Sequence, residues 1–282
     1  MNEMKTLKIM DTGERKGVVQ VGKVRFGKGL VLMAGPYGVE ENEGRMLAIA
    51  QAAGRAGADL LRGAVLNPLP RPYSQEAQGR LNLRALGALE KAKKATGLPL
   101  LVEVMNPRDI ESVGRCADML QVEANMRNSE LLSEVGTSGM PALLKHGFGS
   151  TLGDLLKATE LLGKGNSNIV LCTGALEHHT GLDIWMMPAL KRLRLPVMMD
   201  ASTSLSNGNG NIAESMSLAT ASGADGVIMT VNYEPDGALG LRQFIELMGD
   251  LRQLSLKVAQ IRSEAGVHNA GSEPFVVDWT IG

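Results

Sequence analysis

Eight short apolar runs, each followed by a loop and then a segment of helical pattern, constrain the fold of this chain more than any other feature. They are Val31–Ala34, Leu60–Arg62, Leu100–Val104, Met119–Val122, Ala142–Lys145, Ile169–Cys172, Val197–Asp200 and Gly226–Val231. Most are continuously apolar, the pattern of parallel strands covered on both faces. Helical periodicity fills the gaps over Glu43–Ala56, Asn82–Ala95, Asn128–Glu134, Leu152–Leu162, Ile184–Arg192 and Ile212–Ser222. Gly57-Ala58-Asp59 and Gly223-Ala224-Asp225 share one form, a glycine helix stop that runs straight into a strand. Eight such units in 282 residues predict an α/β fold of the (β/α)8 TIM-barrel class. A doubly wound open sheet competes, but the glycine-rich phosphate fingerprint expected after its first strand is missing.

Ahead of the barrel, Val18-Val19-Gln20-Val21 and Val24-Arg25-Phe26 flank Gly22-Lys23, a hairpin signal that forms an N-terminal cap. One domain is expected over 1–282, with the hairpin at 18–29, the barrel at 30–262 and a C-terminal extension at 263–282. Within that tail, Pro274-Phe275-Val276-Val277-Asp278-Trp279 is apolar enough to pack on the domain or on a neighbouring subunit, the former being the favoured reading.

Composition removes several function classes. A formal net charge of -1 leaves no electrostatic footprint for nucleic acid or an anionic membrane, and 3% aromatics argues against base-stacking platforms. No apolar run is long enough to span a bilayer, and Met1-Asn2-Glu3-Met4-Lys5 lacks a signal-peptide core. Cys116 and Cys172 are too few for a disulfide framework or a cysteine zinc site. The expected home is a reducing cytoplasm.

Barrel chemistry gathers where strands end and loops begin. Those ends carry Tyr37, Arg62, Asn67, Glu103, Gln121, Glu123, Asn125, Lys145, His146, Cys172, Thr173, Asp200, Ser202, Thr230 and Asn232. Lys145 is the sharpest of them. Partial desolvation at the end of Ala142-Leu143-Leu144 favours the neutral amine, which attacks carbonyls to form Schiff bases. The alternatives are an anion-binding lysine or one paired with Glu103 or Asp200. Glu103 and Asp200 sit on apolar strands, where carboxylates are paired or functional. His146 is of the residue type that shuttles protons, but strand alternation points it away from the side that Lys145 faces. His178 and His179 are adjacent loop residues without a third ligand at metal spacing. Arg62 and Arg71, with Ser74, frame a proline-rich loop that either binds an anion or is simply rigid and solvated.

These stretches together resemble the 3-deoxy-D-arabino-heptulosonate 7-phosphate (DAHP) synthase family, which includes the octulosonate synthases. The resemblance is carried by Ala34-Gly35-Pro36-x-x-Val39-Glu40, Leu61-Arg62-Gly63-Ala64 with Pro72-Tyr73-Ser74, Glu103-Val104-Met105, and Leu120-Gln121-Val122 with Asn125-Met126-x-Asn128. Leu143-Leu144-Lys145-x-Gly147, Asn168-Ile169-Val170-Leu171-Cys172 and Gly223-Ala224-Asp225-Gly226 continue it in family order, from Val18 to Leu254.

The resemblance implies condensation of phosphoenolpyruvate with a sugar-phosphate aldehyde, with a divalent metal in the heptulosonate enzymes. It also places Tyr37, Thr203, Thr230 and Leu241 where the family holds its metal ligands, so neither metal nor cofactor is expected. Arg62 and Lys145 match the phosphoenolpyruvate cradle. Its other cations are missing: Asn67 replaces a lysine, Gly174 an arginine, and a deletion removes the arginine before Asn125. Each lost charge-assisted contact costs about 1.5–3 kcal/mol.

The favoured expectation is therefore a metal-independent aldolase or carbon–carbon lyase acting on a small keto acid or aldehyde. Lys145, Glu103, Asp200 and Tyr37 would be catalytic. Arg62, Gln121, Asn125, His146, Ser202, Asn232, Tyr73 and Ser74 would bind substrate. A non-catalytic metabolite- or partner-binding relative and a metal-free 3-deoxy-aldulosonate synthase are the other readings. The family's association through barrel surfaces implies a homo-oligomer.

Overall fold

The computed structural model describes residues 17–36, 38–39, 42–65, 81–124, 128–147, 150–174, 183–202, 212–233 and 241–264. Its opening element is an antiparallel hairpin, β1 (Val19–Val21) and β2 (Val24–Phe26). Gly22, at φ +56°, takes the first turn position, as a type II′ connection requires. Valine and phenylalanine alternate with Gln20 and Arg25, so one face of the hairpin is buried and the other exposed.

Eight parallel strands then close into a barrel: β3 (Val31–Gly35), β4 (Leu60–Gly63), β5 (Leu100–Glu103), β6 (Met119–Glu123), β7 (Ala142–Lys145), β8 (Ile169–Thr173), β9 (Val197–Asp200) and β10 (Gly226–Thr230). β10 pairs with both β9 and β3, which leaves no sheet edge. The expected barrel and hairpin cap are both present, with strand ends within a residue of those read from the sequence.

The helices are α1 (Glu43–Arg55), α2 (Leu83–Thr96), α3 (Ile110–Gly114), α4 (Ser129–Thr137), α5 (Leu152–Gly163), α6 (Met187–Lys191), α7 (Ile212–Ala221) and α8 (Leu241–Glu264). The segment expected as one helix over Ile184–Arg192 opens instead as a 3-10 turn, Ile184–Met186, capped by the Asp183 side chain. α6 begins only at Met187, with Pro188 in its first turn, where the missing N–H costs nothing. No helix among the described residues is long and apolar enough to cross a membrane.

Strand alternation divides the core. Leu32, Leu61, Val102, Leu120, Leu144, Leu171, Met199 and Val227 point outward and pack under the helices. Met33, Leu60, Leu101, Met119, Leu143, Val170, Met198 and Ile228 point inward. The apolar face of the hairpin, Val19, Val21, Val24 and Phe26, joins this inner set and plugs the end where the strands begin. Polar side chains are thereby confined to the opposite end.

Three aspartates brace that plugged end. Asp59, Asp118 and Asp225 each stand just before a strand and accept an N–H from the start of the preceding one, from Leu32, Leu100 and Val197 at 2.8, 2.8 and 2.7 Å. Each also meets a cation from a helix: Arg252 at 2.9 Å, Lys93 at 2.7 Å and Lys191 at 2.6 Å. The Gly-Ala-Asp form read from the sequence is thus a repeated strand-to-strand clamp.

Candidate active site

With the lower barrel filled by aliphatic side chains, the next inward positions carry the polar groups. They are Arg62 on β4, Glu103 on β5, Gln121 and Glu123 on β6, Lys145 on β7, Cys172 on β8, Asp200 on β9 and Thr230 on β10. All lie at the C-terminal ends of their strands, the catalytic face of this architecture. Gly35 permits a close approach there, because a Cβ at that position would strike the Arg62 carbonyl oxygen.

Asp200 is the hub. It is 2% exposed, and its Oδ2 accepts a 2.8 Å hydrogen bond from Lys145 Nζ. Arg62, also 2% exposed, has NH1 at 4.0 Å from the same oxygen, a Coulombic contact longer than a hydrogen bond. Oδ1 accepts the Ser202 N–H at 3.0 Å, and Ser202 Oγ accepts the Thr230 N–H at 2.6 Å, tying the ends of β9 and β10 together. Arg62, Lys145 and Asp200 leave one net positive charge.

Electrostatics fixes the protonation states of this cluster. Burial works against the Lys145 ammonium, but the Asp200 charge and hydrogen bond outweigh it and hold the pKa above the ordinary lysine range. Burial likewise opposes the Asp200 carboxylate, yet Lys145 and Arg62 hold its pKa below the usual value. Cys172 lies beside Lys145 in the strand register, and burial pushes its thiol up to about 12. A neutral, enclosed thiol is packing rather than a nucleophile.

The other half of the mouth is acidic. Glu103 and Glu123 occupy adjacent strands on the same inward face. Burial, and then the Glu103 charge, push the Glu123 carboxyl above its ordinary pKa, with Lys145 opposing. Gln121 sits between them at 2% exposure.

The structure therefore brings together Lys145, Asp200, Arg62 and Ser202, with Glu103 and Gln121 on the same mouth. It engages His146 elsewhere: Nε2 lies 2.7 Å from the Ser150 carbonyl, so the ring donates that hydrogen to the β7–α5 turn. Asn232 follows β10, half-buried. Tyr37, Asn125, Tyr73 and Ser74 lie outside the described residues, as do Asn67, Arg71, His178, His179 and Thr203. Sequence reasoning places Glu123 on the rim but assigns it no role. Its two-residue spacing from Gln121 was the available signal, since that spacing returns a strand side chain to the same face.

The metal expected for heptulosonate synthases fits these residues poorly. Thr230, at one of the four ligand positions, offers a neutral hydroxyl, and Leu241 at another offers no donor. Among the described residues, no three His, Cys, Asp or Glu side chains are grouped to hold an ion.

A closed parallel barrel with its polar groups at the strand C-termini defines an enzyme-like (β/α)8 scaffold. The chain belongs to the DAHP synthetase I family, whose sequence model matches residues 9–260. It is 31% identical over 255 residues to the phospho-2-dehydro-3-deoxyheptonate aldolase of Thermotoga maritima, covering 84% of this chain and 74% of that protein. It is 29% identical over 247 residues to the 2-dehydro-3-deoxyphosphooctonate aldolase of Geobacter metallireducens, covering 78% of this chain and 89% of that one. The crystal structure of the Thermotoga maritima aldolase superposes with a TM-score of 0.78 at 28% identity, over 88% of this chain and 75% of that one. A truncated form of the Thermotoga maritima 3-deoxy-D-arabino-heptulosonate 7-phosphate synthase gives 0.75 at 26% identity, over 88% and 94% of the two chains.

Proposed function

We propose that this chain is an aldolase-type enzyme of its family that makes or breaks a carbon–carbon bond in a small keto acid, with Lys145 and Arg62 holding the acid's carboxylate. The observation that carries the reading is the Arg62–Asp200–Lys145 cluster at the barrel mouth, with its net positive charge and its 2.8 Å ion pair. A single excess charge matches a monocarboxylate better than a phosphorylated acid.

In this reading Lys145 acts first as an ammonium, because Asp200 keeps it protonated. It neutralises the substrate carboxylate and polarises the neighbouring carbonyl, which stabilises the enolate formed when the adjacent carbon–carbon bond breaks or a proton leaves. Glu103 supplies the carboxylate for that proton transfer from the acidic half of the mouth. Tyr37 and Asn125 remain candidates on family position, and no step passes through a metal.

A second route needs the neutral amine, which the Asp200 ion pair disfavours and which forms only when the Lys145 proton passes to solvent. The freed amine then attacks the carbonyl carbon, forming the C–N bond and releasing water. Borohydride reduction with pyruvate separates the two routes. A reduced adduct mapped to Lys145 supports the Schiff base, and reversible binding without an adduct supports the ammonium anchor. Loss of neither binding nor turnover in Lys145→Met would refute both.

A further inference from the structure

We propose that Glu123 determines which ligands the barrel mouth admits: it excludes a phosphate dianion from the β6–β7 side and accepts a hydrogen bond from a hydroxyl or ammonium group on the keto acid. The inference rests on the reading in which Lys145 and Arg62 hold that acid's carboxylate.

Its geometry begins with the register. Glu123 is the strand partner of Lys145 across β6 and β7, and both side chains face the barrel interior. Opposite charges so placed would ordinarily pair, yet the ammonium bonds Asp200 on β9 instead. The Glu123 carboxyl makes no hydrogen bond or ion pair with a described residue, although its backbone is part of the β6–β7 ladder. Its Oε2 leans over the β7–α5 turn, where a Cβ added to Gly147 would lie 3.4 Å away. Glycine at that turn leaves the carboxyl its room.

A second observation points to a ligand at the same place. Gln121, one inward position below on β6, is 2% exposed, and its amide makes no hydrogen bond with a described residue. The amide atoms are not wholly enclosed, so they open on the mouth and are available to a ligand. With Glu103 across the strand pair, β5 and β6 offer one amide and two carboxyls to the mouth, and no described residue donates to them.

Like charge set beside Glu123 in a largely enclosed site is weakly screened, so a phosphate there is repelled. A hydroxyl or ammonium instead forms a charge-assisted bond. Selection is thus made by a repulsive element as much as by an attractive one. Burial, and then the Glu103 charge, raise the Glu123 pKa, so its repulsion of a phosphate strengthens as the pH rises.

The test titrates the full chain calorimetrically with pyruvate, phosphoenolpyruvate and inorganic phosphate, using wild type, Glu123→Gln and Glu123→Ser, each checked for an unchanged melting transition. Both variants are expected to raise the affinity for phosphoenolpyruvate relative to pyruvate by tenfold or more. An unchanged ratio in both, or no phosphoenolpyruvate binding by either, overturns the role of Glu123. Lys145→Met reports separately on the anchor: if it binds pyruvate as wild type does, the keto-acid reading falls, whatever the Glu123 variants do.

Discussion

Replacing Asp200 with asparagine removes the charge that reconciles two buried cations and keeps nearly the same shape. At the observed 2.8 Å the Lys145 contact is worth about 6 kcal/mol with an effective dielectric constant of about 20, and Arg62 at 4.0 Å adds about 4 kcal/mol. Desolvation of the three groups offsets much of that sum. Breaking a buried pair by removing one partner costs about 3–5 kcal/mol, because the charge left behind has nothing to balance it.

Asp200→Asn should therefore lower the unfolding free energy at pH 7 by about 3–5 kcal/mol in urea denaturation, with an unchanged m-value. Adding Lys145→Met should restore about 2 kcal/mol or more, since the buried ammonium is then gone. The pH dependence follows from the two shifts. Asp200 is depressed below 3.8, so its contribution is present above that value and fades as pH falls through the folded pKa. Lys145 is raised above 10.5, so the wild-type contribution persists to that pH and is lost beyond it. In Asp200→Asn, burial and Arg62 depress Lys145 instead, so the variant gains stability as pH rises towards 10.5. The gap between the two proteins should be widest above the carboxylate range and below the depressed Lys145 pKa of the variant, and should narrow as pH rises from there towards 10.5. A cost below about 1 kcal/mol at pH 7, or no recovery in the double variant, would refute the claim that this pair organises the site.

Other consequences are accessible to the same assays. Asp225→Ala removes acceptors of the Val197 N–H and the Lys191 ammonium at a partly exposed clamp, and should cost about 2–3 kcal/mol by thermal or urea unfolding. Phe26→Ala opens a cavity between the hairpin and the inner barrel and should cost about 3–5 kcal/mol; a cost under about 1 kcal/mol would mean the hairpin does not plug the barrel. Cys172, raised to about 12 and fully enclosed, should resist iodoacetamide at pH 8 in the native protein and react only on unfolding, as read by peptide mass.

Much of this molecule is legible in its sequence because the determining signals are local. The runs Ala142–Lys145 and Val197–Asp200 end at the residues where the observed strands end, since each apolar run stops when the chain leaves the core. The hairpin follows from alternation around Gly22-Lys23, and α1, α2 and α5 start at Asn42, Asn82 and Thr151, whose side chains cap them. The α6 start was less legible, because the Asp183 cap and Pro188 support either a 3-10 turn or a helix. The polar inventory of the mouth was also readable, as the last inward residue of successive strands.

Sequence by itself determined the barrel, its plugged and open ends, and which residue types face the mouth, because strand period and apolar run length are set within a few residues of chain. Only the tertiary structure decided the pairings. Lys145 is 55 residues from Asp200 and joined to it, while its strand partner Glu123 is left facing the mouth. His146, one residue along, is drawn to the Ser150 carbonyl, and the two Gly-Ala-Asp stops prove to be clamps that reach back to the preceding strand. Such choices depend on distance and burial after the barrel has closed, when each charge must find the partner that best offsets its lost water.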